Sequence, residues 1–120
     1  MAYGILPKSS RRKRHAAVAS FLENARGART AETTKLLAHH WRHSVDPWRA
    51  IDYLIAAAEQ AGRGWAKQEA VTLYNQALEL IPEKDPRRPR LALKRAVAFQ
   101  GWLHRSLDLD PADRGGLTGD

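Results

Sequence analysis

The chain has 120 residues, enough for one modest hydrophobic core, and no cysteine, so disulfides and thiolate metal sites are excluded. Its formal net charge is +7, and no apolar run is long enough to span a bilayer or, in Met1 to Leu6, to form a signal-peptide core. A cytoplasmic protein is the expectation.

The charge is uneven. Residues 1–30 hold Lys8, Arg11, Arg12, Lys13, Arg14, Arg26 and Arg29 against Glu23 alone, whereas residues 31–86 hold six basic and eight acidic side chains. A basic end on a near-neutral body implies an acidic partner, or a surface that belongs against another module. The punctuation divides the chain into a basic linker and first helix at 1–30, a helical array at 31–109 and a flexible tail at 110–120.

Ser9 or Ser10 is placed to cap a first helix from about Arg11 to Asn24, with Ala17, Val18, Phe21 and Leu22 as its apolar stripe and Gly27 beyond its end. A second helix is expected from Ala31 to His43, with Leu36, Leu37, His40 and Trp41 inward. Asp46 followed by Pro47 signals the start of a third, because a carboxylate caps free amides and proline is pre-shaped for a first turn. That helix runs to about Ala61 with so many apolar residues that it should be the most enclosed element. Gly62 and Gly64 are expected to break or bend it.

A fourth helix starting near Ala66 places Ala66, Ala70, Leu73, Ala77 and Leu80 on one face, since steps of four and three return to the same side of a 3.6-residue turn. Alanines there permit close approach of a neighbouring helix, and Pro82 stops the run for want of an N–H. After the turn at Pro86 and Pro89, Leu91 to Phe99 predicts a fifth helix. Beyond Gly101, Trp102, Leu103, Leu107 and Leu109 suggest a short sixth.

Helices joined by short turns imply a right-handed stack of antiparallel helical hairpins, an all-α fold in which each hairpin covers its neighbour. Ala70, Tyr74, Ala77 and Pro82 resemble the second helix of a tetratricopeptide repeat. Leu37, Ala38, Trp41, Ala50, Leu54 and Ala57 resemble a further, degenerate one. A longer stretch also resembles the helical region of bacterial multidomain signal-transduction ATPases, those attached to adenylate or guanylate cyclase domains or to LuxR-type regulators. It is carried by Ala2-Tyr3-Gly4-Ile5-Leu6, Arg11-Arg12, His15, Leu36 to Trp41, Asp46-Pro47, Ala50 to Leu54, Ala57 to Ala61 and Glu69-Ala70-Val71. The resemblance implies a fragment of a larger regulator, beginning in the linker after its ATPase. Architecture is implied, but not catalysis, because the sequence holds no GxxxxGK[ST] phosphate loop.

His39 and His43 lie one helical turn apart, the spacing at which two imidazoles can share zinc. His40 stands where a zinc protease needs glutamate, and the sequence marks no third ligand. No metal site, cofactor or catalytic residue is therefore expected, and His39 and His43 read as surface residues. Asp52, Glu59 and the serines lack a nucleophile setting. The run Arg11, Arg12, Lys13, Arg14 can contact phosphates, but successive helical residues point about 100° apart and surround the helix, so only nonspecific nucleic-acid binding is expected. Protein binding is expected instead at Lys35, His39 and Arg42 on the concave side and at Trp48 and Trp65 beside turns. The partner is an upstream ATPase or winged-helix module or another protein, and no membrane is involved. The sequence thus reads as a non-catalytic relay module, with a basic nucleic-acid-binding module as the alternative.

Overall fold

The computed structural model describes residues 7–25 and 30–109, with side chains described as far as His104. It holds α1 (Lys8–Asn24), α2 (Ala31–Arg42), a 3-10 turn at Pro47–Arg49, α3 (Ala50–Arg63), α4 (Lys67–Leu80) and α5 (Arg88–Leu109), with no strand among the described residues. The expected tail at 110–120, the stretch Met1 to Leu6 and the stop at Gly27 lie outside the described residues.

The ends of the helices differ in detail from the sequence reading. Pro7, not a serine, precedes α1, and its carbonyl accepts from the Arg11 amide at 3.0 Å; Ser9 and Ser10 sit inside the first turn and cap nothing. Thr30 caps α2, its hydroxyl accepting from the Thr33 amide at 3.1 Å. Asp46 makes no side-chain cap, because Pro47–Arg49 adopts a tighter turn first. Ser44 organises that turn instead: its buried hydroxyl donates to the Trp41 carbonyl at 2.7 Å and accepts from the Asp46 amide at 3.0 Å.

Helix α3 runs through Gly62 to Arg63, and the Lys67 ammonium closes its end by donating to the Gly62 carbonyl. Gly101 breaks nothing either. Helix α5 continues through it to Leu109, so the expected sixth helix is the end of the fifth, and Pro89 falls in the first turn, where no amide is needed.

Packing follows chain order, each helix lying mainly against the next. The core runs along α2, α3 and α4 through Leu37, Trp41, Ile51, Leu54, Leu73, Tyr74, Leu78 and Ile81, closed by Leu91 and Ala98 of α5. Full burial of such a side chain stabilises by about 1.5 to 3 kcal/mol. The α3/α4 contact is built from Ala57, Ala58, Ala70 and Ala77, all at 2% exposure or less, so the two backbones approach closely. Helix α1 contributes only Ala19 to the buried core. Its expected stripe is largely outside, with Phe21 72% exposed and Val18 36%.

Candidate functional site

The face that α1 turns toward α2 is set by His15, Ala19 and Glu23, spaced by fours and thus stacked on one side of the helix. Only Ala19 of these three is apolar, and of the stripe expected from hydrophobic spacing Leu22 alone is partly buried, with Ala17, Val18 and Phe21 exposed. Glu23 ties three elements together. Its Oε2 accepts from the Trp41 indole at 3.0 Å and from the Tyr53 hydroxyl at 2.6 Å, and Arg49 lies 3.9 Å from Oε1. The Arg49 guanidinium also lies 4.2 Å from the centroid of the Trp41 ring, a cation–π placement.

About two turns toward the N-terminus, His15 meets the histidines of α2. Its Nδ1 is 2.9 Å from Nδ1 of His40, so one of these nitrogens carries a proton and the other offers a lone pair. The His15 ring centroid is 5.6 Å from that of His39 and 5.7 Å from that of His43, and His39 and His43 are 4.6 Å apart. Four of the five histidines in the chain thus share one spot. Burial, reinforced by neighbouring imidazoles, holds His15, His39 and His40 below the ordinary imidazole pKa, with Arg42 adding to the effect at His39. His43 donates from Nδ1 to the His39 carbonyl at 2.9 Å, and its Nε2 accepts from the Arg42 guanidinium at 3.4 Å.

Beside this cluster lies an open cleft of about 480 Å³ lined by Lys8, Arg11 and Arg12 of α1 and Arg42 and His43 after it, with Glu79 and Leu80 opposite. The basic charge is therefore more concentrated than the run of residues 11–14 suggested, because α2 adds Arg42 to the same wall. Lys13 and Arg14 are exposed and do not line the cleft.

No family model, curated protein or solved structure matches the chain.

Of the expected contact residues, His39 and Arg42 belong to this joint, while Lys35 is engaged by Glu69 of α4 at 2.5 Å. Trp48 is 64% exposed and Trp65 81%, but they flank opposite ends of α3, roughly 20 Å apart at 1.5 Å per residue, and make no common patch. Asp52 pairs with Arg87 of the turn before α5 at 2.9 Å and Glu59 with Lys94 of α5 at 2.5 Å, so both carboxylates of α3 serve as ion pairs to the following elements. The sequence reading missed His15 as a partner of the α2 histidines and Glu23 as a hub. The signal was present as a polar four-residue spacing, but polar spacing does not say which helix it faces.

Proposed function

We propose that the chain is a non-catalytic scaffold, a stack of tetratricopeptide-like helical hairpins that binds protein within a larger signalling assembly. The observation that carries this reading is the uncovered apolar face of α5. Leu93 and Val97, one turn apart, are 65% and 60% exposed, beside a groove of about 340 Å³ bounded by Tyr74, Lys94 and Ala98. In an array that packs along chain order, the last helix keeps the face on which a next element would sit. Resemblance to the helical region of signalling ATPases supports an ATPase or winged-helix module as the partner class.

A photo-reactive side chain at position 93 should crosslink to one protein species in the native extract, and the same group at exposed Thr72 should not. Purified chain with ATP or GTP and magnesium should match a blank. Turnover that copurifies with the chain and disappears when one of its own residues is replaced would overturn the scaffold reading.

The basic cleft favours a second reading, association with polyanions. Phosphate contacts by Arg11, Arg12 and Arg42 would give weak binding without sequence preference that falls steeply as salt rises. Protection of α1 by one particular DNA or RNA sequence at physiological salt would promote this reading over the first.

A further inference from the structure

The histidine cluster at the α1/α2 joint has the composition and spacing of a metal centre. His15, His39 and His40 each present one ring nitrogen such that the three lie within 4.8 Å of one another. A tetrahedral zinc ion with Zn–N bonds of 2.0–2.1 Å needs its ligand nitrogens roughly 3.3 Å apart. His39 is exposed and His15 and His40 are half-buried, which leaves their rings room to rotate toward that spacing. The His15 and His40 Nδ1 atoms are at 2.9 Å, so an ion replacing the shared proton needs them to part by only about 0.4 Å to reach the tetrahedral spacing.

We propose that His15 of α1 with His39 and His40 of α2 forms a binding site for a first-row transition metal ion, zinc foremost, that pins α1 to the array. Three imidazoles leave a coordination position open, and His43, 4.6 Å ring to ring from His39, stands nearest to fill it. The His39 carbonyl already orients the His43 ring, the kind of outer contact that fixes a metal-binding imidazole. The charges bounding the adjoining cleft are Arg42, Lys8, Arg11, Arg12 and the carboxylate of Glu79. This mostly positive rim opposes any dication, and a donor set of imidazole nitrogens without a carboxylate further disfavours magnesium and calcium, which need oxygen ligands. The same set leaves lone-pair donation from imidazole to zinc, nickel or copper intact. The ion would give α1 what its sequence lacks. Ala19 is the one fully buried residue of α1, with Ala16 and Leu22 partly buried against the core, so a metal bridging two helices adds a bond between elements that burial joins only lightly.

The chelator-stripped 120-residue chain should be titrated with Zn²⁺ by calorimetry, with Mg²⁺ as the control ion. Zn²⁺ should saturate at one ion per chain, and His15→Ala should weaken binding by about tenfold or more. His104→Ala, on α5, should change nothing. Hydrogen exchange of α1 amides should slow on adding Zn²⁺ to the parent and not to His15→Ala. His39→Ala, at an exposed position, reads the same loss of affinity without depending on the fold of the His15 variant. Failure to saturate overturns the proposal. So does undiminished affinity in His15→Ala, which would assign the ion to the His39/His43 pair on α2 alone, and so does an equal response to Mg²⁺.

Discussion

The α3/α4 and α1/α2 contacts join neighbouring helices by opposite means. Between α3 and α4, buried alanines set the backbones close together, and Leu54, Leu73 and Tyr74 fill the space around them. Between α1 and α2, one alanine is fully buried and Ala16 and Leu22 are partly so, and beside them the contact is a carboxylate hub and a ring of imidazoles. Burial is insensitive to pH and ions, whereas imidazoles and a carboxylate respond to both. The contrast places the stable half of the molecule at α2 to α4 and the adjustable half at α1.

The largest test of that contrast removes core volume from the stable half. Leu54→Ala should cost about 2 to 5 kcal/mol in chemical denaturation, the range for a large-to-small change at a fully enclosed site. A loss below about 1 kcal/mol would mean that α3 is not the centre of the core. Overfilling the close contact should do somewhat less: Ala70→Trp is expected to cost about 1 to 3 kcal/mol. An unchanged melting temperature would show that α3 and α4 are not packed backbone to backbone.

On the adjustable side, Glu23→Ala strips the Trp41 indole and the Tyr53 hydroxyl of a shared charged acceptor and should cost about 1 to 3 kcal/mol. Its effect should be local. Exchange should quicken in α1 more than in α4, and uniform acceleration would argue that α1 is integral to the core.

Acid gives a smaller and more selective effect. The folded pKa values of His15, His39 and His40 are lowered, by burial and then by one another and His43, so the unfolded chain takes up protons first. Their contribution is complete above the ordinary imidazole value of about 6.5 and is lost as pH falls through it toward the lower folded values. Metal-free protein should therefore show faster α1 exchange on acidification through this range while α3 and α4 hold. At His39 the neighbouring Arg42 guanidinium adds to the effect. Greater protection of α1 in acid would reverse the assigned sign. The smallest change is expected at Phe21→Ser, within about 0.5 kcal/mol, because that ring is 72% exposed. A large loss there would show that the side of α1 expected from hydrophobicity packs after all.

Sequence alone determined the all-helical class and the inward face of α4, because Ala70, Leu73 and Ala77 repeat at the helical period and Pro82 ends the run for a local reason. It also marked α3 as the enclosed helix through its near-continuous apolar composition. Local signals failed where two local preferences competed. The stop expected at Gly62 and Gly64 falls at Gly64, with Gly62 still helical, α5 continues past Gly101 where a separate short helix was expected, and the 3-10 turn at Pro47–Arg49 displaced the Asp46 cap. The candidate site was legible only in half. His39 and His43 show their relation within one helix, but His15 lies more than twenty residues earlier, and no period links residues on different helices. Only the docking of α1 on α2 brings the third imidazole within reach and adds Arg42 to the basic wall, because proximity between elements is set by which faces pack, not by spacing along the chain.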